Sequence, residues 1–520
     1  MVIRKISYYR VIVSLCLFMF LLSPVFGDEI SAVSFDKELP ENNIVTIQPD
    51  SLRILHNPLT GWVLYASMGV DAADFWAQYD HMYIPELGHN VSVTDYAHTL
   101  YIRASWTDFN PQEDVYGWKI DSNLRAYIEG AYQRNMRLAF RVVVDSRDKR
   151  TEFTPQFVKD AGAKGFMNKG KWSPYSDDPV FQKYYTKFVK ALAKDFNDPS
   201  KVEFIDGFGL GKWGEYHTMI YSTGDDTPKK AVFDWVTDIY SQAFDKVPVV
   251  INYHRWIGAG KDWVDDEHFA ADSEEMLEEA IKKGYSLRHD AFGMTTYYGS
   301  WERRFAKKYR NICPIIMEGG WIVKSHSYWQ DPRGYRKDSH EDVRRGEFDD
   351  SKEAHVNMMD FRFGDTEFWF KDAFDLVRRF LREGGYRLYP SEISLPLEVS
   401  KKTTPTIKHC WNNMGWGYCP TNIPQWNQKY KVAFALLDSE TNEVRYTFVD
   451  TNTDLSKWIK GSPAEYVFEP DMSKVETGTY VWAVGLVDRS NKDLIGLDIA
   501  AKGDILDSGW LKLSKVSIKK

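Results

Sequence analysis

Short apolar runs alternate with longer amphipathic stretches between about residue 60 and residue 385. Eight of the runs have the length and composition of buried strands: residues 61–66, 99–105, 137–144, 202–207, 247–253, 291–297, 312–317 and 355–361. Between them, residues 120–135, 181–196, 231–244 and 273–283 carry apolar side chains near helical spacing, and residues 372–382 repeat the pattern after the last strand. In residues 181–196 the stripe is Tyr184, Tyr185, Phe188, Val189 and Leu192. Gly384-Gly385 ends the final helix. Strand and helix in alternation predict a parallel sheet, and eight repeats with a closing helix predict a (β/α)8 barrel, an α/β fold. An open doubly wound sheet is the alternative. It usually opens its first turn with Gly-x-Gly-x-x-Gly, which is missing here.

The pattern changes at Tyr389-Pro390. Residues 429–438, 443–449, 464–468 and 479–487 alternate apolar and polar positions between frequent turns, which predicts an all-β sandwich over 390–520. The barrel is expected over 55–389, and residues 28–54 read as a polar leader. Residues 1–27 have the make-up of a cleavable signal peptide. Arg4, Lys5 and Arg10 precede an apolar core from Val11 to Leu22, and Val25 and Gly27 flank a cut before Asp28. Secretion or a periplasmic location is therefore expected, with no integral membrane span once the signal is removed. A lipoprotein anchor at Cys16 is less favoured, because that residue lies inside the apolar core.

The net charge of −8 argues against nucleic acid as a partner, and 19 Trp leave rings to spare for stacking on sugar faces. Trp172, Trp256, Trp301 and Trp329 fall in predicted loops and are candidates for that role. Cys313 is expected to be a buried thiol. Cys410 and Cys419 flank Trp411–Tyr418, and whether they are bridged stays open. The run Arg344–Glu353 reads as a solvated helix face.

Chemistry in such a barrel belongs at the C-terminal ends of the strands. After the fourth predicted strand comes Gly211-Lys212-Trp213-Gly214-Glu215-Tyr216-His217, and the seventh runs straight into Glu318-Gly319-Gly320-Trp321. Two strand-end glutamates are the pair that glycosidic cleavage needs, one protonated and one ionised. Trp213, Tyr216 and His217 around Glu215 suit a raised pKa and an acid, whereas an arginine such as Arg103 would keep Glu318 ionised. Strand ends also supply Trp106, Asp145, Asn252, His254, Tyr297 and Tyr298 as substrate-binding candidates, beside Arg103, Trp213, His217 and Trp321. His217 and His254 could join Asp145 or Asp360 in a metal site, but no short His-x-x-x-His spacing supports one, so neither metal nor other cofactor is expected.

The chain resembles the retaining clan-A (β/α)8 glycoside hydrolases. The resemblance rests on Glu215 and Glu318, and on Tyr101-Ile102-Arg103-Ala104-Ser105-Trp106 continuing to Pro111-Gln112-Glu113-Asp114-Val115-Tyr116-Gly117-Trp118. It implies Glu215 as acid/base, Glu318 as nucleophile, Arg103 as the arginine supporting the nucleophile, and Tyr297 or Tyr298 as the aromatic that orients it. The tail resembles an uncharacterised β-sandwich found behind such barrels in exported bacterial proteins. Gly214 departs from the clan, which has Asn at this place to contact the sugar 2-hydroxyl. Asn252, His254 or His217 would have to take over, or the substrate differs at that hydroxyl. A non-catalytic carbohydrate-binding protein on the same scaffold is the alternative function, and a metal-dependent hydrolase a further one.

Overall fold

The computed structural model describes residues 42–147, 151–260, 267–295, 297–322 and 339–520. Eight parallel strands close into a barrel in sequence order. They are Gly61–Tyr65, Ala97–Ser105, Arg137–Val143, Val202–Asp206, Val249–Asn252, Tyr285–Phe292, Ile315–Gly319 and Met358–Asp360. Seven lie where the apolar pattern places them. The sixth does not. It was expected at residues 291–297 but spans Tyr285–Phe292, because Arg288 and Asp290 break the apolar run although they belong to the strand.

Each strand presents alternate residues to opposite faces, and both faces are covered. Outward residues such as Leu100, Phe140, Ile205, Ile251 and Met317 pack in one core with the surrounding helices. Helix Pro179–Phe196 shows why the helices form. Asp178 caps the first turn by accepting the Val180 and Phe181 amides, Pro179 needs no amide partner there, and Phe181, Tyr185, Phe188 and Leu192 face inward. Inward residues of the strands, among them Val63, Tyr101, Ala139, Phe204, Ile316 and Met358, fill the lower barrel interior. Two positions further along most strands, the inward residues turn polar.

Helix His340–Ala354 corrects the expectation of a solvated charged face. Arg344, Glu347 and Asp350 are buried. Arg344 pairs with Glu347 at 3.0 Å and with Asp365 at 3.3 Å. Asp350 accepts the Gly293 amide and pairs with Arg303 at 2.8 Å. The positions at i, i+3 and i+6 share one face of a helix, so half of a charged run can point inward if its charges are matched there.

The C-terminal strands form two sheets with a shared core. One holds Leu388–Pro396, Ile407–Asn413 and Ala464–Phe468. Its edge is completed by Asn42–Thr46, so part of the supposed leader belongs to this sheet. The other sheet is built on Tyr430–Asp438, Gly478–Asp488 and Leu511–Lys519. The Trp411–Tyr418 run joins the sandwich to the barrel. The Trp416 indole donates to the Val356 carbonyl, and Asn357 donates to the carbonyls of Leu59 and Tyr418. Cys313, Cys410 and Cys419 are free thiols. Among the described residues no helix is long and apolar enough to cross a membrane.

The buried charges of His340–Ala354 make a direct prediction. Removing one partner of a buried ion pair strands the other, at a cost of roughly 3–5 kcal/mol. Arg344→Met should lower the unfolding free energy by about that amount in denaturant titration. A change within about 0.5 kcal/mol, as for a surface site, would mean that the run is solvated.

Candidate active site

The polar inward residues at the C-terminal end of the barrel are linked by two guanidiniums, those of Arg141 and Arg288, both fully buried. Strand register puts Arg141 beside Asp206 and Arg103, and Glu318 beside Asp360. Arg141 reaches Asp206 at 2.5 Å, Asp290 at 2.6 Å and Glu215 at 3.6 Å. Arg288 reaches Glu318 at 2.5 Å, Asp290 at 2.9 Å and Asp360 at 3.0 Å. Glu215 and Glu318, about a hundred residues apart in sequence, are thereby tied to one network through Asp290, which touches both arginines.

This arrangement corrects two expectations. Arg288 holds Glu318, whereas Arg103 donates to the Trp213 carbonyl at 2.8 Å and to the Tyr65 hydroxyl at 3.4 Å. Nor is the Glu318 carboxyl drawn down as an arginine partner alone would draw it. Burial, reinforced by the Asp290 charge and only partly offset by Arg288, pushes it up to about 8. Burial likewise pushes Asp360 up to about 6. Burial also acts on Asp290, but there Arg141 and Arg288 outweigh it and hold the carboxyl well below the usual range.

Glu215 sits on a loop of unusual backbone. Gly211, Trp213, Gly214, Tyr216 and Thr218 all have positive φ, and for non-glycine residues this conformation is strained. The surrounding structure holds the loop carbonyl by carbonyl. Arg103 takes that of Trp213, His254 Nε2 donates to that of Glu215 at 2.8 Å, and the Gly258 amide donates to that of Tyr216 at 2.8 Å. Gly214 has φ +76°, and a Cβ there would lie 3.3 Å from Val143 and 3.4 Å from Arg141. An asparagine therefore does not fit easily before Glu215. The Glu215 side chain also lies 3.4 Å from His217 Nε2.

A small recess, partly open to solvent, lies beside Glu215, with Asn252, His289, Asp290, Trp256 and Tyr297 among its walls. His217 and His254 line it too, and burial holds the His254 ring neutral by lowering its pKa well below the ordinary value. A larger recess is bounded by Tyr65, Arg103, Asp108 and Phe363.

The remaining expectations divide. Trp213 is half-buried against His217, and Trp321 is exposed beyond Gly320. Trp106 is a core residue, fully buried among Phe157, Phe181, Tyr185 and Phe188, so it does not face the site. Tyr298 is likewise buried, stacked on Phe292, and the shift of the sixth strand removes it from the strand end. Asp145 is held by Arg147 at 2.6 Å and by the Ser173 hydroxyl. Trp172 and Trp301 are buried, whereas Trp329 lies outside the described residues. Among the described residues no three His, Cys, Asp or Glu side chains are grouped to hold a metal ion. Sequence analysis passed over Asp206, Arg288, His289 and Asp290. Asp206 lies two residues from the inward Phe204, which is a period-two signal, whereas Arg288, His289 and Asp290 have no apolar inward neighbour on their strand to mark them.

No model of a known protein family matches the chain. No curated protein matches it either. Among solved structures it is similar to an endo-beta-1,4-mannanase from Thermotoga petrophila, at 12% identity over 89% of this chain and 99% of that one, with a TM-score of 0.38. It is similar to a GH30 endoxylanase from Clostridium papyrosolvens C71, at 10% identity over 82% and 97%, with a TM-score of 0.38. It is also similar to endo-glycoceramidase II from Rhodococcus sp., at 13% identity over 82% and 99%, with a TM-score of 0.39. Likeness at this level leaves the chemistry to be argued from the chain's own residues.

The state of Glu318 has a measurable consequence. Its folded pKa is raised from 4.5 to about 8, so the folded protein binds this proton more tightly than the unfolded chain. The resulting stability is fully present below the unfolded value and is lost as pH rises towards the folded one, with a slope of up to about 1.4 kcal/mol per pH unit. Glu318→Gln removes that loss. Its melting temperature relative to wild type should rise between about pH 5 and about pH 8. A constant difference over this range would mean that Glu318 is ionised throughout.

Proposed function

We propose that the protein is an exported glycoside hydrolase that cleaves an oligo- or polysaccharide with Glu215 and Glu318 as its two carboxyls, without a cofactor. One observation carries this reading: glutamates at the ends of the fourth and seventh barrel strands share one buried arginine network at the barrel mouth. Hydrolysis needs a proton for the leaving oxygen and an ionised carboxylate on the far side of the anomeric carbon. In the retaining form of this reaction the carboxylate attacks that carbon as the glycosidic C–O bond breaks, and water then releases the sugar.

The assignment from sequence makes Glu215 the acid/base and Glu318 the nucleophile. The raised Glu318 carboxyl favours a second reading with the roles exchanged. In that reading, Glu215 attacks, with Arg141 at 3.6 Å and His217 at 3.4 Å facing its two oxygens. Export rests on the basic and apolar segments ahead of Asp28, and N-terminal sequencing of the mature protein should begin at Asp28. A mature chain that retains Arg4 would exclude cleavage.

Azide separates the two role assignments. Dinitrophenyl β-glycosides leave without a proton donor, so an acid/base variant still forms its glycosyl-enzyme on them. Azide then displaces the enzyme carboxylate and gives a glycosyl azide of retained configuration. In a nucleophile variant azide attacks the substrate directly and gives the inverted product. With the first assignment Glu215→Ala gives the retained azide and Glu318→Ala the inverted one. Exchange of the two products supports the second assignment. On glycans with poor leaving groups, loss of the acid should cost about 10²–10⁴ in rate. Hydrolysis of a cleaved glycan undiminished in both variants would refute the reading.

A further inference from the structure

Two buried polar atoms beside Glu215 have no hydrogen-bond partner among the described residues: Asn252 Oδ1 and His289 Nε2. Each side chain belongs to a residue only 3% exposed, and both line the cavity that Glu215 enters. Leaving such an atom unpaired is costly, so a buried pair of them in one cavity marks a place where a bound molecule, an ordered water or a ligand that displaces it, supplies the missing bonds.

The surroundings fix what each atom offers. Asn252 Nδ2 donates to Asp290, at 3.4 Å. Asp290 is an ionised carboxylate and can only accept, so the amide cannot be flipped, and Oδ1 is an acceptor. His289 Nδ1 accepts the Ala291 amide at 3.0 Å. The neutral ring therefore carries its proton on Nε2, which is a donor. Burial lowers the ring pKa to about 3, against the pull of Asp290, and keeps this form at working pH. The ring is wedged against Tyr253, Phe292 and Tyr298 and has no room to turn.

One desolvated acceptor and one desolvated donor are the complement of sugar hydroxyls, which both donate and accept. We propose that Asn252 and His289 form a hydroxyl-recognition pair for the sugar ring seated at Glu215, Asn252 Oδ1 accepting from a ring hydroxyl and His289 Nε2–H donating to one. The pair supplies, from the fifth and sixth strands, a polar grip that no side chain at position 214 can provide. The inference rests on the reading of the cavity as a sugar site but does not require that the sugar be cleaved.

The test uses the full-length Glu215→Gln protein with ¹⁵N-labelled histidine. The His289 ring N–H signal is assigned by its loss in His289→Phe. D-glucose, D-mannose, D-galactose, D-xylose and N-acetyl-D-glucosamine are titrated in turn. At least one should shift the His289 N–H, with Asn252→Ala and His289→Phe weakening its binding about tenfold each. His289→Gln, which keeps a donor, should recover part of that loss. His289→Phe also removes the acceptor of the Ala291 amide, so its melting temperature will fall, and it is recovery of binding by His289→Gln that separates recognition from a structural role. Binding of one of these sugars, with wild type hydrolysing none of the oligosaccharides built from it, would support the pair and refute the hydrolase reading. Binding unchanged by both substitutions, or no shift of the His289 signal with any of the five sugars, would overturn the pair.

Discussion

Arg141 and Arg288 set the terms for everything at the barrel mouth. Both are buried without exposure, and between them they contact Asp206, Glu215, Asp290, Glu318 and Asp360. Two guanidiniums cannot neutralise five carboxylates, even with Arg103 within electrostatic reach of both glutamates. In a poorly hydrated interior the imbalance is relieved by protons, and the geometry decides where they sit. Asp290 lies between the arginines, which hold its carboxyl well below the usual range. Glu318 and Asp360 share one guanidinium nitrogen, Arg288 Nη2, and both are raised. A site with some carboxyls charged and others neutral at one pH is what acid and nucleophile chemistry requires.

The same network explains what sequence could and could not reveal. The barrel was legible because its outward strand faces are apolar and recur eight times, and the sandwich was legible from its alternation. Glu215 and Glu318 were legible because each follows an apolar run. The sixth strand was misplaced for the converse reason. Arg288 and Asp290 belong to that strand and pair with each other, and their charge made it look like a loop. The error carried through to Tyr297 and Tyr298, which were assigned to a strand end that lies elsewhere. Arg103 was given the partner that belongs to Arg288, because only the register of neighbouring strands shows which arginine faces which carboxyl. Trp106 and the Arg344–Glu353 run fail in another way. Aromatic and charged residues are ambiguous between surface and interior until the packing of neighbouring helices is known.

The loop carrying Glu215 connects the network to the cavity. Its three non-glycine residues with positive φ, Trp213, Tyr216 and Thr218, would each prefer another backbone state. Three of its carbonyls are caught by Arg103, His254 and the Gly258 amide, which reach it from the second strand and from the segment after the fifth. The loop is therefore shaped by the barrel rather than by its own sequence. This explains a glycine at 214. The backbone there has φ +76°, which side chains rarely adopt, and a Cβ would press on Val143 and Arg141, so a polar side chain beside Glu215 comes more readily from another strand.

Burial has opposite consequences for the two kinds of group that meet at this cavity. For Glu318 it favours the neutral acid. For His289 and His254 it favours the neutral base, and the backbone amides of Ala291 and Trp256 occupy their Nδ1 atoms, leaving Nε2–H as a fixed donor. His254 spends that donor on the Glu215 carbonyl, within the protein. His289 is in the same state with nothing opposite it among the described residues. Two rings under one physical constraint thus serve different ends, one holding the loop that bears Glu215 and the other facing the cavity beside it.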